Sequence, residues 1–230
     1  MARLARIVVP QVPHHVTQRG NRRMTIFAER ADYALYRDLL AERLKAHAVV
    51  CSAYCLMPNH VHLLLTPTPE DAREAAASLA RAIGEAHRRF TAFVNARART
   101  TGHLFQGRFG SVAMDEPHWL AAIRYLAFNP VRAGLAARPQ DWPWSSVKAH
   151  LSGRGDGLVD VAPALAVAPD FAAFLKDGLD EPGLAPESAN GRPLGDAAFL
   201  ARAEARLGRS LAPRRRGPKP RGAEAPAEGD

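Results

Sequence analysis

Only two cysteines, Cys51 and Cys55, occur among 230 residues. A disulfide framework is therefore excluded, and the expected setting is a reducing cytosol. Apolar runs long enough to span a bilayer are also missing, since charges interrupt each of them. The opening stretch MARLARIVVPQVPHH is basic but too short in its apolar part to read as a secretory signal. Lysine is scarce as well. Of the 31 Lys and Arg residues almost all are arginine, and against 23 acidic residues they give a formal charge of +8. Arginine presents a planar fork matched to phosphate oxygens, so nucleic acid is one partner class that this charge admits. Plain solubilising charge is the other. No glycine-rich phosphate-binding motif occurs, which leaves no sign of nucleotide hydrolysis. Tyrosines number four, few enough to weigh one by one.

What is present is an ordinary apolar share, 47%, arranged in alternating patterns. A strand is expected around His15–Arg19, closed by Gly20 and Asn21. Asp32 is placed to cap a helix bearing Tyr36, Leu39, Leu40 and Leu44 at helical spacing. Val49–Met57 and His60–Thr66 read as consecutive strands broken at Pro58-Asn59. A long helix from Glu70 to about Arg97 sets Leu79, Ile83, Ala86, Phe90 and Val94 on one face. A further strand is expected within Phe105–Val112. A helix then runs from His118 to Phe128, stopping near Asn129-Pro130, because the residue before a proline disfavours helical backbone. This β-α-β-β-α-β-α order implies an α+β fold, an antiparallel sheet with helices packed on it, over residues 1–151. Residues 152–192, rich in Gly, Pro, Ala and Asp, read as linker with one short helix at Pro169–Lys176. Residues 193–230 read as a C-terminal extension, with a helix capped by Asp196 and ended by Gly208, then a disordered basic tail over Arg214–Arg221.

Two histidines head one strand. On a strand, residues i and i+2 share a face, so His60 and His62 project together while Val61 turns away. That suits two imidazole ligands on one ion, and it equally suits two ordinary strand histidines; spacing alone leaves both open. A zinc site of Cys51, Cys55, His60 and His62 has the right composition, but the short H-x-H does not suit a structural finger, and the cysteines sit in a strand-like run as core thiols would. An unsaturated ion beside arginines suggests a phosphate substrate, which requires a nucleophile.

Tyr33 and Tyr36 fall on the first amphipathic helix, and Tyr54 lies in the strand before the histidines. Tyr125 differs. At 100° per residue it stands about 120° from Trp119, off the apolar stripe of Trp119, Ile123 and Leu126. Asn129 lies within about 40° of it. A hydroxyl and a carboxamide thus share one helix edge, flanked by Arg124 and Arg132. A rim tyrosine beside a helix-ending asparagine accounts for the same pattern.

PNHVHLLL, QGRF and RYLAFNPVRAGL, with VTQRGN before them and WPWSS after, resemble in order the single-tyrosine HUH transposases, and more closely the REP-associated tyrosine transposases of bacteria. The match spans about residues 13–151, and GRPLGDAAFLARAEARLGR resembles an extension found in many members. The resemblance implies a ferredoxin- or RRM-like HUH endonuclease fold and a metal-dependent single-stranded DNA endonuclease and strand transferase acting on REP-type hairpins. His60 and His62 would bind Mg2+ or Mn2+, with Asn129 at the position of a third ligand. Tyr125 would be the nucleophile, giving a 5′-phosphotyrosine and a free 3′-hydroxyl. Two departures stand out: Ala127, where relatives carry a polar residue, and Phe105, where tryptophan is common.

Arg19, Asn21, Arg22 and Arg23 cluster beside Gly20 and are candidates for tracking a hairpin backbone; Arg108 and Arg132 are candidates for flanking the scissile phosphate. The partner expected is single-stranded or hairpin DNA, with no membrane, in a cytoplasmic, nucleoid-associated protein that is a monomer or a homodimer. The alternatives are a catalytically weak, host-adapted protein that binds palindromic hairpins and a zinc-stabilised regulator.

Overall fold

The computed structural model describes residues 6–176 and 191–211. Its first elements are β1 (His14–Arg19), α1 (Arg30–Ala46), β2 (Val49–Met57), β3 (His60–Pro67), α2 (Ala72–Ala98) and β4 (Gly110–Ala113). The strands form one antiparallel sheet in the order β2-β3-β1-β4, the antiparallel sheet that the element order implies and the ferredoxin-like arrangement that the resemblance implies. Next come α3 (Glu116–Arg132), α4 (Val147–Ser152), α5 (Ala162–Val167), α6 (Phe171–Lys176) and α7 (Ala197–Leu207).

The sheet is covered on both faces, which is why β2 and β3 read as nearly unbroken apolar runs. Val61, Leu63 and Leu65 point into a core shared with Leu40, Leu79, Ile83 and Phe90 of α1 and α2. Leu64, Ala53 and Cys55 point the other way, into a core shared with Trp119, Ile123 and Leu126 of α3. His60 and His62 alternate with Val61 and so belong to the α3 face. Cys51 and Cys55 lie in different cores, so the two thiols do not converge as a zinc pair would require.

Helix α2 follows its sequence pattern. Asp71 caps it by accepting from the Arg73 and Glu74 amides, and Ala75, Leu79, Ala82, Ile83, Ala86 and Phe90 form its buried stripe. Two other helix ends differ from expectation. The N-cap of α1 is Glu29, not Asp32; Asp32 sits at the third helical position, completes a capping box and also pairs with Arg97. Helix α3 does not stop at Asn129-Pro130 but continues to Arg132 with Pro130 inside it. The proline falls in the last turn, where its missing N–H removes only one bond, and the Ala133 and Leu135 amides close the end on the Asn129 and Pro130 carbonyls. Asn129 is thereby a helical residue.

Strand β4 is shorter than the sequence suggests, since Phe105 makes only an isolated bridge to Gly20. Residues 152–168, which read as linker, and α6, which matches the short helix expected at Pro169–Lys176, pack against the core: Leu158, Val159 and Val161 join the α1/α2 side, while Ala164, Phe171, Phe174 and Leu175 join the α3 side. Their Gly- and Pro-rich composition hides these apolar residues among short elements. The WPWSS segment lies along the outer edge of β2, where the Trp144 carbonyl accepts from the Leu56 amide and Ser146 hydrogen-bonds Tyr54. Residues 177–190 and the basic tail Arg214–Arg221 lie outside the described residues.

Candidate active site

Three separated motifs are brought together by backbone hydrogen bonds at one end of the sheet. The Gly20 amide donates to the Asn59 carbonyl, the Gln106 amide to the Arg19 carbonyl, and the Ile26 amide to the Pro58 carbonyl. Gly20 is required there: a Cβ would sit 2.3 Å from the Met24 carbonyl oxygen. VTQRGN, PNHVH and QGRF thus become three walls of one cleft of about 290 Å3, lined by Thr17, Arg19, His60, His62, Gln106 and Arg108 among others.

The two-residue turn Pro58-Asn59 sets His60 opposite Arg19, and register sets His62 opposite Thr17. The His60 and His62 rings lie 4.8 Å apart, centroid to centroid, at 84°. The Tyr125 ring from α3 reaches the same place, with its centroid 5.5 Å from that of His62. Asn129 follows one turn later on the same side of α3 and is partly exposed. Ala127 faces the α3 core at 2% exposure, so a polar side chain there would meet apolar neighbours rather than the cleft.

Two neighbours escaped the sequence reading. Nε2 of His15, a buried residue of β1, lies 2.9 Å from Nδ1 of His62. Asn59 bridges outward: its Nδ2 donates to the Arg23 carbonyl at 3.2 Å, and its Oδ1 lies 2.6 Å from Nδ1 of His60. Neither contact leaves a signal in residue spacing. The first depends on β1–β3 register, and the second ends on a backbone carbonyl.

All three rings are held neutral. Burial pushes His60 down to about 4, with Arg19 adding repulsion. Burial, then the neighbouring His15, His60 and Arg19, holds His62 well below the usual imidazole range, and burial alone pushes His15 down to about 3. A neutral imidazole offers a lone pair, and His62 Nε2 is buried with no hydrogen-bond partner. That is the condition a metal-ligating histidine has to meet. No group of three or more His, Cys, Asp or Glu side chains able to hold a metal occurs among the described residues, so a cation at this pair must draw any further protein ligand from another residue type.

Of the candidate arginines, Arg19 and Arg108 line the cleft. Arg132 lies over the Tyr125 ring, 5.6 Å from its centroid. Arg108 lines the cleft and an adjoining cavity of about 310 Å3, which also includes Arg6, Gly84, Arg88, Phe105 and Phe109. Asn21, Arg22 and Arg23 form a single tight turn after β1, and both Arg22 and Arg23 have left-handed backbone, at φ 52° and 62°. Such strain in bulky residues persists only where the surroundings fix it; here the Arg23 and Met24 amides close on the Gly20 and Asn21 carbonyls.

Comparison with known proteins bears on the whole arrangement. The family described as "Transposase IS200 like" matches residues 8–128, more than half of the chain. Among solved structures, a REP-associated tyrosine transposase bound to a REP hairpin is similar at a TM-score of 0.56 and 20% identity, over 70% of this chain and 90% of that one. A proposed transposase from Deinococcus radiodurans gives a TM-score of 0.39 at 22% identity, over 56% of this chain and 97% of that one. No curated protein matches. No helix among the described residues is long and apolar enough to cross a membrane.

Proposed function

The chain belongs to the IS200-like transposase family, and from that premise we propose that it is a metal-dependent single-stranded DNA endonuclease and strand transferase working through a covalent 5′-phosphotyrosine. The observation that carries this reading is the Tyr125 ring set edge-on to His62, whose Nε2 is buried and unpartnered. A tyrosine ring beside an unpartnered imidazole nitrogen, next to a cleft lined by Arg19 and Arg108, supports phosphodiester transfer.

In the proposed step Tyr125 Oη bonds to phosphorus as the bond from phosphorus to the 3′-oxygen breaks. The tyrosine proton passes to solvent, and the departing 3′-oxygen takes one up. The product ester conserves the phosphodiester, so a later attack by a 3′-hydroxyl rejoins strands without a nucleotide cofactor. His60 and His62, with Asn129, would hold Mg2+ or Mn2+, which when bound polarises a non-bridging phosphate oxygen. Arg132, over the tyrosine ring, would offset charge developing on the phosphate, and Arg108, in the cleft lining, would contact a phosphate of the bound strand. Arg19, Asn21, Arg22 and Arg23 would contact the backbone of the hairpin. REP-type hairpins are the proposed substrate because the similar transposase of known structure is bound to one.

Incubation of a labelled hairpin oligonucleotide with the protein and Mn2+ tests the reading. A denaturation-resistant adduct that chelation and Tyr125→Phe both abolish is expected. Tight binding with no adduct under any divalent ion would instead indicate a hairpin-binding protein without turnover.

A further inference from the structure

Two imidazoles hold one cation well only if the lone pairs meant for it are uncommitted and the rings cannot turn. The second nitrogen of each ring decides both conditions. In this chain the second nitrogen is engaged from behind in each case, by a residue that is not itself a ligand.

At His60 the pattern is fixed by elimination. The Arg23 carbonyl can only accept, so the amide end of Asn59 facing it is the NH2 group. The end facing His60 is therefore the carbonyl oxygen, 2.6 Å from Nδ1. A neutral His60 must then carry its proton on Nδ1 and its lone pair on Nε2. At His62 two neutral patterns fit the 2.9 Å contact between its Nδ1 and His15 Nε2. Either His62 donates, leaving a lone pair on its own Nε2, or His15 donates, leaving an N–H there. In both patterns His62 Nε2 and His15 Nδ1 stay buried and unpartnered. Only the first makes Nε2 a donor to a metal, and cation binding selects it.

We propose that His15 and Asn59 are positioning residues that hold His62 and His60 as Nδ1–H tautomers and so present both Nε2 atoms to one divalent cation. The proposal rests on the reading of His60 and His62 as ligands. It assigns a purpose to the left-handed turn at Arg22 and Arg23, which delivers the Arg23 carbonyl to Asn59. It also has a chemical consequence. An amide oxygen and a neutral imidazole are weaker acceptors than the carboxylates that often support metal-bound histidines, so both ligands stay less basic. That suits a weakly held, exchangeable ion.

The test measures Mn2+ affinity by calorimetry and histidine tautomers by 15N NMR in the Mg2+-loaded protein, with thermal unfolding as a check on folding. His15→Leu and Asn59→Ala are each expected to weaken Mn2+ binding by roughly 10- to 100-fold, as loss of such partners does elsewhere. His15→Gln, which puts a carbonyl near the place of Nε2, should recover most of the affinity. His62→Ala should abolish binding. Unchanged affinity in folded His15→Leu and Asn59→Ala, with His62→Ala inactive in binding, would overturn the positioning roles and leave the ligands standing. A wild-type protein that binds no Mn2+, or a His62→Ala variant that binds as the wild type does, would overturn the ligand reading itself. Should His15→Leu fail to fold, the Mg2+-loaded wild-type spectrum decides alone: a His62 Nδ1–H coupled across the hydrogen bond to His15 Nε2 upholds the proposal, and a His62 Nδ1–H without that coupling, or an Nε2–H, overturns it.

Discussion

The Tyr125 and His62 rings meet edge to face, with centroids 5.5 Å apart and planes at 84°. One ring comes from a helix on the outer layer and the other from the second central strand. The sheet fixes His62, and the Trp119–Ile123–Leu126 stripe fixes the helix against that sheet, with Trp119 Nε1 donating to Ser52 Oγ at 3.0 Å. The juxtaposition is therefore a property of the core packing.

Arginine contacts should separate binding from chemistry. Arg108→Ala is expected to weaken hairpin affinity and to lower the slope of log affinity against log salt by roughly 0.7 to 0.9, the value of one phosphate contact. Arg132→Ala is expected to leave affinity nearly unchanged and to slow adduct formation by roughly 100-fold, as removal of a transition-state charge partner does. Filter binding across a salt series and single-turnover gels measure the two effects. Equal losses of affinity in both variants would contradict the division of roles.

Acid should unfold the protein through its buried histidines. His14 is fully buried and His87 is partly buried, and burial pushes them down to about 4 and about 3. In the unfolded chain they titrate near 6.5, so below that pH the unfolded state binds more protons. Their contribution to stability is complete above about pH 6.5 and is lost as pH falls toward 4 and 3. At pH 5 each costs about 2 kcal/mol relative to pH 7.5. Urea unfolding at the two pH values measures this, and His87→Gln should narrow the gap by about the same amount.

Asp32 and Arg97 should differ in what they contribute. Asp32 is fully buried; burial works to raise its carboxyl, but the Arg97 pair and the Glu29 and Ala28 amides outweigh that and hold it below the usual range. Asp32→Ala removes the ion pair and strips two amides of their acceptor, and is expected to cost about 3 kcal/mol. Arg97 is about a third exposed, and Arg97→Ala is expected to cost about 1 kcal/mol. Chemical denaturation resolves a difference of that size.

Gly84 lies inside α2, and a Cβ added there meets nothing within 4 Å. Gly84→Ala should therefore stabilise the fold by about 0.5–1 kcal/mol and raise Tm by about 1–4 °C in calorimetry. A lower Tm would show that the helix is not continuous at this point.

The legible parts of the molecule were those where one residue type serves one local rule. The paired strands β2 and β3, the stripe of α2, the Asp196 and Gly208 ends of α7, and the shared face of His60 and His62 follow from spacing, because side-chain direction is periodic along an element. Pro130 misled because its helix-breaking tendency depends on how many turns follow it. Residues 158–168 depart from the linker expectation because so short a helix carries too few apolar residues to show a period, whereas the short helix expected at Pro169–Lys176 is present as α6. His15 and Asn59 were out of reach: one is set by strand register and the other by a backbone carbonyl, and neither appears in a list of side chains. The off-stripe position of Tyr125 leaves a rim tyrosine equally open; its role as nucleophile comes from the resemblance, and its distance from His62 needs the packing of α3.

The central claim is that Tyr125 is the covalent nucleophile. Mass spectrometry of the trapped hairpin adduct after nuclease and trypsin digestion tests it most directly, since Arg124 and Arg132 bound a tryptic peptide that begins at Tyr125. The account predicts a 5′-phosphonucleotide on the tyrosine of YLAFNPVR. A nucleotide on any other residue, or cleavage that leaves a free 5′-phosphate and no protein adduct, would contradict it.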